Sequence, residues 1–154
     1  MYLLAYEFID WLRARYPEMS AEIDEYLEHQ KFDEQILNVL VHYCPPKGEC
    51  LLAIHNEAPV GILMLKDLGG NVCEMNRMFV RKSARGLGVG RSLVERLIEC
   101  SKEMEFKTMV LSALARHHEA ISLYKSSGFQ LRAKPDGSGS PESAVHMTLD
   151  LTSV

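Results

Sequence analysis

The chain has 154 residues, which predicts a single domain over residues 1–154 with a core that needs neither disulfide nor metal. Hydrophobic residues make up 47% of the chain and charged residues 25%, and no uncharged apolar stretch approaches the ~18 residues that span a bilayer. The net charge of −4 argues against a general nucleic-acid binder. Because Glu7 and Asp10 interrupt an N-terminus that lacks a basic region, we expect no signal peptide and a cytoplasmic location.

The four cysteines, Cys44, Cys50, Cys73 and Cys100, include no C-x-x-C pair. Zinc sites have recognisably close spacing, and a Cys44–Cys50 disulfide would need an oxidising compartment. We therefore expect four reduced thiols, no bound metal, and no partnership with nucleic acid or membrane.

Charge is unevenly distributed along the chain. Residues 1–57 contain eleven acidic and four basic residues. Residues 77–91 contain no acid and five bases, which are Arg77, Arg81, Lys82, Arg85 and Arg91. A basic segment in an acidic protein indicates a bound anion.

Three segments in the first third of the chain have helical spacing of apolar residues. The first helix is predicted over residues 6–16 and ends at Pro17, which leaves only residues 1–5 for a strand before it. Ser20 is the predicted N-cap of the second helix. The third helix is predicted to carry five apolar residues along one face, namely Phe32, Ile36, Leu37, Leu40 and Val41.

The rest of the chain combines strands and helices. Strands are predicted over residues 51–55, 60–65, 72–80, 108–114, 129–132 and 145–151. One helix is predicted to begin at Val89 and another to cover residues 118–127, with Gly128 at positive φ after it. This order predicts an α/β (α+β) fold with a mixed sheet.

The sharpest local feature is a glycine turn, Arg85-Gly86-Leu87-Gly88-Val89-Gly90-Arg91, between a strand and an amphipathic helix. Glycines let successive backbone N–H groups point into one concavity, and the helix N-terminus and the two arginines favour negative charge there. The turn is neither a P-loop, since no Lys-Ser/Thr follows, nor a G-x-G-x-x-G fingerprint. It predicts a pyrophosphate site, and a merely flexible glycine-rich loop is the alternative.

Three motifs in this order resemble those of the GNAT acetyltransferases. Arg85-x-x-Gly88-x-Gly90 fits the family's pyrophosphate motif, and residues 73–80 (CEMNRMFV) look like the strand that precedes it. Residues 120–129 are similar to the later A-x-x-L-Y-x-x-x-G-F signature. The resemblance covers about residues 32–151. It implies a mixed, mostly antiparallel central sheet flanked by helices, with the first strand shortened or missing.

The same resemblance implies acetyl-CoA as cosubstrate, bound in a splay between two strands. The residues it assigns to the cofactor are Met78, Phe79, Val80, Arg85, Gly86, Leu87, Gly88, Val89, Gly90, Arg91, His117 and Tyr124. His117 stands where the family often has Asn, so this one contact departs from the pattern. Trp11, on the first predicted helix, is expected to be a packing residue rather than a ligand platform, although the resemblance implies that this helix borders the substrate cleft.

Glu74 and Tyr124 are the catalytic candidates that the resemblance provides. Glu74 precedes Val80 by six residues, and this even spacing in a strand predicts that both lie on one face. It would accept the amine proton directly or through water, or it is a strand-end carboxylate that pairs with Arg77 or positions an ammonium. Tyr124 would donate a proton to the departing thiolate, or it is a core tyrosine.

Three functions follow as hypotheses. The first is N-acetyltransfer to a small-molecule amine by direct attack in a ternary complex, with a homodimer left open. The second is acetylation of a protein or peptide amine, and the third is a non-catalytic acyl-CoA-binding module. The acidic residues 1–57 favour an acceptor that is cationic or carries a free amine, unless these acids only form a solvated face.

Overall fold

The computed structural model describes residues 2–137 and 139–153, with Tyr2 described through its backbone alone. Its centre is a sheet of six strands in the order β1-β2-β3-β4-β6-β5. The strands are β1 (Gly48–His55), β2 (Ala58–Gly69), β3 (Val72–Val80), β4 (Thr108–Leu114), β5 (Gln130–Arg132) and β6 (Ala144–Asp150). The β3–β4 pair is parallel and the other pairs are antiparallel, so the sheet is mixed and mostly antiparallel, as expected.

Helices cover both faces of the sheet. Their bounds are α1 (Tyr2–Arg15), α2 (Ser20–His29), α3 (Phe32–Leu37), α4 (Val39–His42), α5 (Val89–Glu103) and α6 (His118–Ser126). Short 3₁₀ turns lie at Pro17–Met19 and Lys82–Ala84. One core packs α5 and α6 against the sheet through residues such as Leu97, Met109 and Met147, and the other packs α1, α2 and α3 through residues such as Leu4, Ile36 and Ile62.

The N-terminal region differs from its predicted boundaries. Helix α1 already begins at Tyr2, so residues 2–5 form no strand, and Met1 lies outside the described residues. The apolar residues Leu4 and Ala5 are buried in the helix-side core, which explains why this segment extends the helix. Ser20 is the first residue of α2 rather than its cap; Met19 occupies the cap position and makes no side-chain capping bond.

The predicted third helix is broken at Asn38 into α3 and α4. The Asn38 side chain donates from Nδ2 to the Glu34 carbonyl at 2.9 Å and so competes with the regular backbone pattern. The break rotates the two pieces, so that the predicted single apolar face does not form. Phe32 and Ile36 are buried, but Leu37, Leu40 and Val41 are exposed.

The third and fourth strands separate partway along their length. Parallel pairing joins Val72–Glu74 of β3 to Thr108–Val110 of β4 and goes no further. Beyond that point β3 continues to Val80 paired with β2 alone, and β4 continues to Leu114 paired with β6. The sheet therefore opens into a splay between the later halves of these two strands.

Candidate functional site

The glycine turn has the geometry of an anion cradle. Gly86 and Gly88 take φ of 79° and 81°, and Gly88 occupies the cap position of α5. A Cβ added to either glycine would meet no atom of the described residues within 4 Å, so open space faces the backbone here. Because the first N–H groups of a helix have no partner within it, the N-terminus of the 15-residue α5 offers donors to that space.

A groove of about 380 Å³ runs from this turn into the splay. Nine of the twelve predicted cofactor residues line it, namely Met78, Phe79, Val80, Arg85, Gly86, Gly88, Val89, Gly90 and His117. Leu87 is 58% exposed and does not line it. Arg91 is also outside the lining and donates from Nη2 to Ser126 Oγ at 3.5 Å, whereas Tyr124 lines a neighbouring cavity.

Helix α1 supplies a wall of the groove, through contacts that the sequence did not predict. The Trp11 ring lies 5.1 Å from the His117 ring, and the Arg85 guanidinium lies 4.9 Å from the Trp11 centroid. Arg15 donates to the Glu119 carboxylate at 2.8 Å and ties α1 to α6. These contacts join residues that are 74 to 106 positions apart, and no local pattern could have indicated them. Trp11 is a packing residue, as predicted, and its ring also lines the groove.

His117 and Arg85 are constrained by this wall. Burial lowers the pKa of His117 to about 4, with the positive charges of Arg15 and Arg85 acting in the same direction and Glu119 opposing them. The imidazole is therefore neutral near pH 7. Arg85 donates from Nε to the Val80 carbonyl at 2.9 Å, which fixes its side chain along the edge of the groove.

A second cavity, of about 100 Å³, adjoins the groove, and both are lined by Met78 and His117. Its apolar wall comes from α1, α2, β3 and β4 and includes Phe8, Leu12, Leu27, Met75, Leu111 and Leu114. Its polar lining comprises Tyr26, Asn76, Arg77, Ser112 and Tyr124. Residues Ser140, Pro141 and Ala144 close one side.

Tyr124 lies on the sheet-facing side of α6 and is 5% exposed. Its ring packs edge-on against Phe129 with centroids 6.0 Å apart, and within the described part of the chain its hydroxyl makes no hydrogen bond. Burial raises the pKa of Tyr124, so the phenol stays protonated. A protonated hydroxyl with no protein partner in a cavity is available to donate to a ligand.

Glu74 does not share a face with Val80, and the prediction from even spacing is wrong. The reason is a β-bulge: Ile62 pairs with Phe79 but Met64 pairs with Asn76, and Arg77 has φ of 58°. Two residues of β3 thus oppose one residue of β2, which reverses the alternation of side chains. Val80 consequently packs on the α5 side, while Glu74 lies with residues of α2 and α3.

Glu74 is outside the lining of the cavity that contains Tyr124. It shares a shallow pocket with His29, Lys31, Gln35 and Lys66, and accepts a hydrogen bond from Asn76 Nδ2 at 3.1 Å. No ion pair joins it to Arg77 in residues 2–137 and 139–153. Asn76 lines both the pocket and the cavity and so separates the two catalytic candidates.

None of the four cysteines, all of which lie in the described residues, forms a disulfide, and burial raises the pKa of Cys73 to about 12. Among the described residues, no three His, Cys, Asp or Glu side chains are grouped so as to hold a metal ion. In the same part of the chain, no helix has the length and apolar character needed to cross a membrane.

Comparisons with known proteins agree with this geometry. Residues 5–129 match the acetyltransferase (GNAT) family. An uncharacterized N-acetyltransferase of Schizosaccharomyces pombe is 33% identical over 140 residues, covering 84% of this chain and 85% of that protein. A GNAT-family acetyltransferase from Staphylococcus aureus superposes with a TM-score of 0.76 at 25% identity, covering 98% of this chain and 93% of that one.

A Salmonella typhimurium protein, solved with its cofactor acetyl-CoA, shares the fold at a TM-score of 0.59 and 22% identity. The match covers 70% of this chain and 66% of that chain.

Proposed function

Because the chain belongs to the acetyltransferase (GNAT) family, we propose that it transfers the acetyl group of acetyl-CoA to the amine of a small molecule. The observation that carries the proposal is the junction of the groove with the cavity at Met78 and His117. A thioester in the groove and an amine in the cavity would meet at this junction. Such an arrangement suits direct transfer, since it holds both reactants in one enclosed space.

The residues of the groove fit coenzyme A. The open space at Gly86 and Gly88, the N–H groups of α5 and the charge of Arg85 suit a pyrophosphate. Arg91, just outside the groove, adds positive charge at the same helix end. The edge of β3 at Met78, Phe79 and Val80 faces the splay, where its backbone groups suit the amides of the pantetheine arm. His117 lines the groove as a neutral ring that is tilted by 49° against the Trp11 ring.

The chemistry supplied by bound acetyl-CoA is an acetyl thioester. In the overall step the N–C bond forms, the C–S bond breaks, the amine loses a proton and the sulfur gains one. Tyr124 is the proposed donor to the departing sulfur, and its support is a protonated hydroxyl that makes no hydrogen bond to any described residue. Backbone N–H groups near Phe79 are the candidates for stabilising negative charge on the carbonyl oxygen.

The base role of Glu74 requires a relay, since Asn76 lies between this carboxylate and the cavity. A water chain past Asn76 would carry the amine proton to Glu74. Direct proton transfer from the amine to Glu74 is not part of the proposal.

A small acceptor is favoured over a peptide by the shape of the cavity. It holds about 100 Å³ and is covered by α1, α2 and the segment at Ser140 and Pro141. An extended peptide backbone would need an open cleft at this position.

The experiment is thiol release from acetyl-CoA across a panel of small amines, amino acids and peptides with free N-termini. We expect turnover with at least one small amine and a lower kcat/KM when the same amine is embedded in a longer peptide. Higher kcat/KM for long peptides would favour the protein or peptide hypothesis. Tight binding of acetyl-CoA by calorimetry without thiol release for any amine would favour the non-catalytic module.

A further inference from the structure

Arg77 is a buried cation that the proposed transfer step does not use. The residue is 5% exposed and lines the cavity proposed to hold the acceptor (the acceptor cavity), yet its Nε and Nη2 atoms have no hydrogen-bond partner among the described residues. No carboxylate of residues 2–137 and 139–153 forms an ion pair with it. Buried charges in folded proteins are normally paired, because an uncompensated one costs several kcal/mol.

A cation–π contact offsets part of the cost of burying the Arg77 charge, and the rest of that cost remains uncompensated. The Arg77 Cζ atom lies 4.7 Å from the centroid of the Phe32 ring, a cation–π contact that uses the flat face of the guanidinium. The two unpaired atoms, Nε and Nη2, lie on the edge of the same group. Together they form the two-donor fork that arginine presents to planar anions.

The backbone at Arg77 is also held in an uncommon conformation. Its φ of 58° lies in the left-handed region, which is unfavourable for a residue with a long side chain. The bulge at this position displaces Arg77 from the regular alternation of β3. Strained backbone that persists in a structure is concentrated at binding and catalytic sites, and here it coincides with the unpaired guanidinium.

Other polar groups around Arg77 are incompletely bonded too. Asn76 Oδ1 and His146 Nε2 are buried and have no hydrogen-bond partner within residues 2–137 and 139–153. His146 Nδ1 lies 3.0 Å from Ser112 Oγ, and Ser112 lines the cavity beside Arg77. Burial raises the pKa of Tyr26 to about 12, with the negative charge of Glu74 adding to this rise and the positive charge of Arg77 opposing it. The polar end of the cavity therefore offers a ligand the unpaired donors of Arg77 and, beside them, one unpaired acceptor, Asn76 Oδ1.

We propose that the acceptor carries a carboxylate as well as its amine, and that Arg77 binds this carboxylate through Nε and Nη2. The inference rests on the proposed function, since it assigns the acceptor class of the same site. A planar carboxylate matches the two-donor edge with two parallel hydrogen bonds. When the carboxylate binds at the Arg77 end of the cavity, the amine of the same acceptor can lie at the other end, where the cavity meets the groove.

The first test uses wild-type protein and matched acceptor pairs. Each pair consists of an aminocarboxylic acid and its carboxamide, with α-, β- and γ-amino acids represented, and the corresponding aminophosphonic acids form a third arm. We expect kcat/KM for the carboxylate to exceed that for the carboxamide by about 10²-fold, because the amide leaves the guanidinium unpaired. Equal values for both would overturn the inference, and a preference for the phosphonate would overturn the carboxylate assignment.

The second test uses Arg77→Gln and Arg77→Lys, with Arg96→Gln as matched control. Arg96 is an exposed arginine of α5 that pairs with Glu99, far from the cavity lining. We expect Arg77→Gln to lower kcat/KM for the carboxylate about 10²-fold and for the carboxamide only a few-fold, with an intermediate loss for Arg77→Lys and none for Arg96→Gln. Equal losses for both acceptors in folded Arg77→Gln would overturn the inference.

Failure of the proposed function would give other results than failure of the Arg77 inference alone. If no amine of any class accepts acetyl from acetyl-CoA, the transfer proposal itself fails. If amines are acetylated without regard to the carboxylate, transfer stands and the role of Arg77 is wrong. Should Arg77→Gln not fold, the wild-type carboxylate and carboxamide comparison decides alone.

Discussion

At the scale of single residues, Tyr124 has the surroundings expected of a proton donor to a ligand. Its pKa is raised by burial, and no described residue accepts a hydrogen bond from its hydroxyl. Substitution Tyr124→Phe removes only that hydroxyl, so we expect kcat to fall by about 10²-fold. Acetyl-CoA affinity, measured by calorimetry, should change little.

Tyr16→Phe is the matched control for this prediction. Tyr16 is also a buried tyrosine with an unpaired hydroxyl, but it lies in the helix-side core and outside the groove and cavity lining. We expect the kcat of the Tyr16→Phe variant to equal that of the wild type. A kcat for Tyr124→Phe within a few-fold of the wild type would assign Tyr124 to packing alone.

At the scale of elements, the turn before α5 carries the prediction about the cofactor. Gly88 is at φ 81° and faces open space, so Gly88→Glu would place a side chain and a negative charge where the pyrophosphate is proposed to bind. We expect acetyl-CoA binding to be lost in calorimetry. Gly70→Glu is the matched control, because Gly70 also has positive φ and open space but lies in the β2–β3 turn. If Gly88→Glu binds as tightly as Gly70→Glu, the pyrophosphate site lies elsewhere.

The strands also show which features of the fold could be predicted from the sequence and which could not. Strand β4 and strand β3 were predicted with their observed bounds, because alternation and apolar runs are local signals. The bulge at Arg77 was not predicted, since an arginine gives no local indication of positive φ. This bulge places Glu74 on the face opposite Val80, whereas the even spacing predicted that both lie on one face.

Because sequence patterns carry only local signals, they also did not predict the contacts that α1 makes in the wall of the groove. The contacts of Trp11 with His117 and of Arg15 with Glu119 depend on where α1 crosses the sheet, which is a property of tertiary packing. Three motifs nonetheless predicted most of the groove lining, because the glycine turn and the strand before it are contiguous in sequence. Residues of the acceptor cavity come from α1, α2, β3, β4 and α6 and have no shared motif.

At the scale of the whole molecule, the charge asymmetry is smaller in space than in sequence. Glu7 pairs with Arg81 across 74 positions, and Glu18 pairs with Arg116, so two acids of residues 1–57 are paired with bases outside that segment. Part of the acidic excess of residues 1–57 is therefore neutralised by ion pairs. Inside the molecule, the cavity has a buried cation, Arg77, in its lining. The expected free amine is thus compatible with a negatively charged group on the same acceptor.

The central claim is direct transfer of the acetyl group from a cofactor in the groove to an amine in the adjoining cavity, since Met78 and His117 line both. The measurement that tests it most directly is mass spectrometry of both acceptor and protein after reaction with acetyl-CoA labelled with ¹³C in the acetyl group. We predict the label on the acceptor nitrogen, in amounts equal to the thiol released, with none covalently attached to the protein. Label found only in free acetate, or on a protein side chain before it reaches the amine, would contradict direct transfer in this site.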